Sequence, residues 1–120
     1  MKFINMLRSV RAEFIREFRR KKLLKNARKK VTLLLKFEKI SVLELGNPQK
    51  RSQPGWITAD YEPGGDLCID LTKMLPIPDE SVELVYSSHV LEHFPYEKIC
   101  EILKEIKRVL VRGGTFSVSL

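Results

Sequence analysis

The chain has 120 residues, 43% of them hydrophobic, which is enough for one domain with a modest core. Its formal net charge of +7 is uneven, because residues 1–40 hold 14 Lys and Arg against 3 acids, whereas residues 41–120 hold 8 against 12. No run approaches the roughly 18 apolar residues of a membrane span, and charges interrupt the N-terminal apolar stretches, which argues against a secretory signal. We therefore expect a cytoplasmic protein with reduced cysteines, in which any membrane contact is peripheral.

The N-terminal segment has the spacing of a basic amphipathic helix. Apolar residues recur there at steps of three and four: Phe3, Leu7, Val10, Phe14 and Phe18. We predict a helix over residues 3–30 with a break near Lys21, and residues 31–37 fit a helix or a strand equally. Residues 1–40 are thus predicted to be a helical arm. Its basic face is either solvated or binds anionic lipid headgroups or nucleic acid.

The pattern of residues 41–120 predicts a separate domain in which strands and turns alternate. Short apolar runs bounded by Gly, Pro and Asp predict strands at 41–45, 56–60, 66–70 and 115–120, and a buried strand that begins at Val82 and ends before His89. Apolar residues spaced by about 3.6 predict a helix that begins near Ile99 and is stopped by a left-handed cap at Gly113. The fold class is therefore α/β, with a Rossmann-like, mostly parallel sheet of about five strands behind the N-terminal basic helix.

Two strand ends carry the residues expected of a nucleotide-like cofactor site. The first strand ends at Gly46, where the absent side chain lets the backbone approach a ligand closely, and the second ends at Asp60. An acid at that position can accept hydrogen bonds from a ribose diol. Ligands of open α/β sheets bind beyond the carboxyl ends of the strands, so both residues are expected at one site.

Two longer blocks resemble a known family. The run from Leu75 to His93 (LPIPDESVELVYSSHVLEH) and the step from Arg108 to Phe116 (RVLVRGGTF) resemble class I S-adenosylmethionine-dependent methyltransferases of the type 11 group. The resemblance covers residues 41–120. It implies a seven-stranded, mostly parallel sheet, of which this chain would be a truncated form lacking the last two strands. It also implies S-adenosyl-L-methionine as cofactor and methyl transfer to an acceptor.

The resemblance further implies a cofactor site at the ends of four strands. The predicted cofactor-binding residues are Glu44, Gly46, Asn47, Asp60, Tyr61, Asp70, Leu71, Ser87, Ser88 and His89. Glu44 and Gly46 would lie against the methionine portion, and Asp60 would accept from the ribose hydroxyls. Asp70 and Leu71 would meet the adenine, while the last three residues of the set would line the pocket near the methyl donor.

The two histidines, His89 and His93, are the candidate catalytic residues. Either could act as the base for a hydroxyl acceptor, although His93 could instead be a structural residue bonded to backbone. The pair also matches the H-x-x-E-H pattern of inverted zinc proteases. That match is weak, because His89 directly follows a predicted strand, and we predict no metal site. A nicotinamide-dependent oxidoreductase is disfavoured, because the G-x-G-x-x-G motif is missing and the first crossover is short.

Two departures from the family pattern keep a second function class open. Gly46 is followed by Asn47 and Pro48 rather than by further glycines, and the predicted last strand forms an edge bearing Phe116 and Val118. The alternative is a non-catalytic interaction module, with residues 1–40 binding an anionic membrane surface or an acidic polymer. The edge strand would favour a homo-oligomer.

Overall fold

The computed structural model describes residues 2–37, 39–50 and 53–120 of the chain. A long N-terminal helix precedes five strands, a second helix and a short 3₁₀ turn. Their bounds are α1 Lys2–Phe37, β1 Ile40–Leu45, β2 Trp56–Asp60, β3 Leu67–Cys68, β4 Val82–Ser88, the 3₁₀ turn Leu91–His93, α2 Tyr96–Val109 and β5 Leu110–Ser119. None of the described helices is both long enough and apolar enough to span a membrane.

The five strands form one parallel sheet in the order β3-β2-β1-β4-β5. The chain moves outward from β1 to β3 on one side and then returns to place β4 and β5 on the other. The strand order therefore reverses between β1 and β4, which makes a topological switch point of the kind that binds ligands in open α/β sheets. The predicted Rossmann-like α/β fold is confirmed.

The core lies mainly on one face of this sheet. Alternate residues of the central strands, such as Leu43, Ile57 and Val85, are buried and belong to one cluster with Ile102 and Ile106 of α2. The 3.6-residue spacing of α2 places these isoleucines on one side of the helix, where burying each contributes roughly 1.5–3 kcal/mol. The sheet and α2 thus form one rigid support for the strand ends.

Helix α1 is longer and more regular than predicted. The break predicted near Lys21 is wrong, as is the strand option for residues 31–37, because α1 is continuous from Lys2 to Phe37. No Gly or Pro interrupts it, and its second half gains tertiary support from the buried Ala27 and Val31. Residues 2–19 are all exposed. The domain division at residue 40 stays a prediction, with the second half of α1 packed against the sheet.

Three other predicted boundaries are shifted. β3 pairs over only two residues, and β5 begins at Leu110 rather than at residue 115, since α2 already ends at Val109. Gly113 does adopt a positive φ of 76°, but it lies within β5 and does not cap α2. The reason is pairing with β4, whose register shifts between Val82 and Leu84 and leaves extra β5 residues at this bulge.

The connection between β3 and β4 contains no helix. Two side chains of α2, Glu105 and Arg108, hold it in place and are called the clamp below. Arg108 Nη1 donates to the carbonyl of Ile77 at 2.8 Å, and Nη2 donates to the carbonyl of Leu75 at 3.0 Å. Glu105 Oε2 accepts from the backbone N–H of Leu75 at 3.0 Å and from Arg108 Nη2 at 2.8 Å. The two α2 side chains therefore bind three backbone groups of this connection.

The clamp predicts a dependence of stability on acid pH. The pKa of Glu105 is lowered below its ordinary value, mainly because Arg108 donates a hydrogen bond to its carboxylate. Burial of the carboxylate acts in the opposite direction. A carboxyl group whose pKa is lower in the folded protein than in the unfolded chain, where it is about 4.3, stabilises the fold at pH values above that unfolded pKa. This stabilisation is lost as the pH falls through the folded-state pKa. We expect wild type to be more stable than Glu105→Gln at pH 7, with the difference shrinking below about pH 4. Urea denaturation of both proteins across this range checks the prediction, and a constant difference would contradict it.

Candidate functional site

A cavity of about 470 Å³ opens at the carboxyl ends of the strands, next to the switch point between β1 and β4. Its volume lies within the range of small-molecule sites, and apolar side chains with a few polar groups form its wall. The lining residues are Gly46, Ala59, Asp60, Tyr61, Ile69, Asp70, Leu71, Thr72, His89, Val90 and Phe94.

Gly46 forms the wall of the cavity at the end of β1. Its φ of 85° is in the left-handed region, and its N–H donates to the carbonyl of Ala59 at 2.9 Å. A Cβ atom at this position would overlap the side chain of Val90. Only glycine therefore satisfies both the backbone angle and the close approach of β1 to the segment after β4.

Asp60 presents a carboxylate at the end of β2. Its Oδ1 accepts from the N–H of Glu62 at 2.7 Å, which closes an Asx turn. Oδ2 accepts no hydrogen bond from the described residues. One carboxylate oxygen thus fixes the orientation of the side chain and the other is available to a ligand.

Helix α1 supports this part of the wall through Arg20. The guanidinium lies 4.5 Å from the ring centroid of Tyr61, and Nη2 donates to Glu62 Oε1 at 2.8 Å. Arg20 is only 8% exposed, and Glu17 of the same helix accepts from its Nη1 at 2.6 Å. A buried cation paired with two carboxylates and a ring holds the 60–62 turn against α1.

The ends of β3 and β4 complete the cavity. Asp70 Oδ1 accepts from both the N–H and the hydroxyl of Thr72, at 2.9 and 2.6 Å, which fixes the turn after β3. His89 follows β4 with a φ of 55°, a conformation costing a residue with a side chain roughly 1–2 kcal/mol. Its N–H donates to the carbonyl of Ser119 at 2.8 Å, so pairing with β5 holds the strained backbone.

The structure brings together six of the residues predicted for the site: Gly46, Asp60, Tyr61, Asp70, Leu71 and His89. Two others are used locally. Glu44, which alternates with the core residues of β1, is 8% exposed and accepts from the indole N–H of Trp56 at 3.1 Å. Asn47 Oδ1 accepts from the N–H of Gln49 at 2.9 Å.

The remaining predicted residues also lie outside the cavity lining. Ser87 is fully buried, and its hydroxyl has no hydrogen-bond partner among the described residues. Ser88 ends β4 half-buried. His93 is exposed in the 3₁₀ turn, where its backbone N–H donates to the carbonyl of Val90 at 3.2 Å. Of the two candidate bases, only His89 borders the cavity.

Five lining residues were not predicted from the sequence: Ala59, Ile69, Thr72, Val90 and Phe94. All but Thr72 are apolar, and all but Phe94 are adjacent in sequence to a predicted cofactor-binding residue, so this adjacency was the signal that could have found them. Arg20 carried no such signal, because it is one of four consecutive basic residues, Arg19 to Lys22, that the sequence alone does not distinguish.

Among the described residues, no group of three or more His, Cys, Asp or Glu side chains is placed to hold a metal ion. The third ligand that the H-x-x-E-H pattern requires is thus not found in residues 2–37, 39–50 and 53–120. The pattern itself is split between His89 beside the cavity and His93 in the exposed turn.

A model of the family described as methyltransferase domain matches residues 19–118. The match begins inside α1, one residue before Arg20, and includes the sheet except for Ser119, the last residue of β5. The comparisons with curated proteins and with solved structures find no match. The family match, which spans most of the chain, agrees with the parallel sheet and with the cavity at its switch point, and the chain therefore belongs to the type 11 methyltransferase domain family.

Proposed function

We propose that the chain binds S-adenosylmethionine in the cavity at the strand ends and transfers its methyl group to an acceptor. One observation carries the proposal: in a chain of the methyltransferase domain family, Asp60 lines a largely apolar cavity of about 470 Å³, and one of its carboxylate oxygens accepts no hydrogen bond from the described residues. The family match supports the reaction class, and the chemistry of the wall supports the cofactor.

The residues of the cavity fit the three portions of this cofactor. A ribose diol donates two hydrogen bonds, which Asp60 Oδ2 can accept beside the Asx turn. Adenine is flat, and its ring faces can pack against the apolar wall formed by Ile69, Leu71 and Phe94. Gly46 lines the cavity at the end of β1, where its backbone can contact the methionine portion, while Val90 fills the space that a side chain at this position would need.

The proposed chemistry asks mainly for positioning. The bound cofactor supplies a methyl group on a good leaving group, so holding the acceptor in line with it provides much of the rate. His89 is the proposed base for a hydroxyl acceptor, since it borders the cavity with an exposed side chain. Its Nδ1 lies 3.6 Å from Glu92 Oε1, which is beyond hydrogen-bond distance.

A cytoplasmic location is part of the proposal and is supported by the cysteines. Cys68 and Cys100 are both free, as expected for a reducing compartment. Burial is the main cause that raises the pKa of the Cys68 thiol, which keeps it protonated and unreactive.

The test is calorimetric titration of S-adenosylhomocysteine into the full chain and into Asp60→Asn. The substitution keeps the shape of the side chain and removes its charge, so we expect affinity to fall about tenfold or more, as for the loss of a charge-assisted hydrogen bond. Glu97→Gln, which removes an exposed acid from the first turn of α2, is the matched control and should bind like wild type.

Circular dichroism establishes that each protein is folded before the titration. A folded wild type that does not bind S-adenosylhomocysteine would overturn the proposal. In that case the non-catalytic interaction module becomes the favoured function, because the first half of α1 is exposed and could bind a partner independently of the cavity.

A further inference from the structure

The first half of α1 exposes a set of large apolar side chains. Each of the following is at least 50% exposed: Phe3, Ile4, Met6, Leu7, Val10, Phe14, Ile15 and Phe18. This set is called the apolar stripe below. Soluble surfaces rarely carry so many large apolar residues side by side without a binding role.

The apolar stripe does not face the domain. At 100° per residue, its centre lies about 130° around the helix from the face that carries Ala27 and Val31, the residues buried against the sheet. Arg20 is the first buried residue of α1 and lies on the same side as that packed face. Residues 2–19 therefore extend past the domain for about 27 Å, at 1.5 Å per residue, with the stripe turned outward.

Cations surround the apolar stripe. The exposed basic residues of this segment are Lys2, Arg8, Arg11, Arg16, Arg19, Lys21 and Lys22. The acidic residues of this segment are Glu13 and Glu17, and Glu17 is already paired with Arg20, so the segment has a strong net positive charge. The long side chain of Arg11 falls inside the stripe, where its apolar stem can be buried while the guanidinium reaches the headgroup level.

We infer that residues 2–22 of α1 bind an anionic lipid surface, with the helix lying in the plane of the interface and the apolar stripe inserted among the acyl chains. This partner satisfies both features, since lipid takes up the apolar side chains and anionic headgroups neutralise the cations. A second copy of the helix would bring two strongly basic segments together. Nucleic acid would neutralise the cations but leave the eight apolar side chains in water. The inference does not depend on the proposed methyl transfer.

The test is co-sedimentation of the full chain with vesicles of phosphatidylcholine, with and without about a quarter of phosphatidylglycerol. We expect anionic vesicles to bind at least about tenfold more tightly, and we expect salt to weaken that binding because it screens exposed charges. Phe14→Ser combined with Phe18→Ser should lower the affinity for anionic vesicles by about tenfold or more, since both rings are removed from the stripe.

A matched control changes two similarly exposed apolar side chains outside α1. Met74→Ser combined with Tyr96→Ser alters residues that are 63% and 77% exposed, against 72% and 67% for Phe14 and Phe18, and should leave vesicle binding unchanged. Circular dichroism shows whether each variant keeps its helix content. The Phe variant should be folded, because its substituted side chains lie on the outward face of the helix.

Three results would overturn the inference. Equal binding to neutral and anionic vesicles would remove the role of the cations, and full binding by the Phe variant would remove the role of the stripe. Absence of vesicle binding would also overturn it. In that case a labelled oligonucleotide bound equally by wild type and by the Phe variant would identify nucleic acid, whereas a dimer by light scattering that the Phe variant loses would identify a second copy.

Discussion

Replacing Arg108 with Ala is expected to lower the free energy of unfolding by about 3 kcal/mol, a large part of the stability of a domain this size. The side chain donates to two backbone carbonyls, those of Leu75 and Ile77, and both residues are buried. The substitution leaves these carbonyls without their donor, and it leaves Glu105 as a mostly buried carboxylate without its cation. Each loss is costly, because a mostly buried polar group that loses its partner keeps its desolvation penalty.

Urea denaturation followed by circular dichroism measures this effect. Arg112→Ala is the matched control, because Arg112 is an exposed arginine four residues further along, and its loss should change the stability by less than about 0.5 kcal/mol. If Arg108→Ala unfolded at the same urea concentration as wild type, the clamp would not be what holds the β3–β4 connection on α2.

Replacing Gly46 with Ala is expected to cost about 3 kcal/mol of stability and to weaken S-adenosylhomocysteine binding by about tenfold or more. Two costs add at this position. The backbone has a φ of 85°, which disfavours any residue with a side chain, and the new Cβ would overlap Val90, a residue of the cavity wall. Relief of the overlap requires the wall to move, and this changes the shape of the proposed cofactor site.

Gly113→Ala separates these two costs. Gly113 has a similar φ of 76°, but a Cβ there would meet nothing within 4 Å, so this variant should lose only about 1–2 kcal/mol and should bind normally. Val90→Ala introduced into Gly46→Ala should recover part of the lost stability, because it removes the overlapping methyl group. Equal destabilisation at both glycines would show that the overlap is absent. Normal binding by Gly46→Ala would show that this wall does not contact the cofactor.

The elements that the sequence predicted well are those with a strong local pattern. β1 and β4 are short apolar runs bounded by turn residues, and α2 repeats its isoleucines at helical spacing, so their types follow from local periodicity. The lengths predicted for β3 and β5 are wrong, because pairing with the neighbouring strand, rather than local pattern, sets where a strand begins and ends. The bulge that places Gly113 inside β5 depends on the register with β4.

For the candidate site, the sequence by itself determined that Gly46, Asp60 and Asp70 stand at the ends of strands in one parallel sheet. Parallel strands in an open α/β fold bring their carboxyl ends to one edge, so this conclusion required only the strand assignments. The tertiary structure alone decided that Arg20, rather than a neighbouring cation, is buried, because its partner Tyr61 is distant in the chain. It also decided that α1 turns its apolar stripe outward, since the orientation of a helix is set by whichever face packs against the sheet.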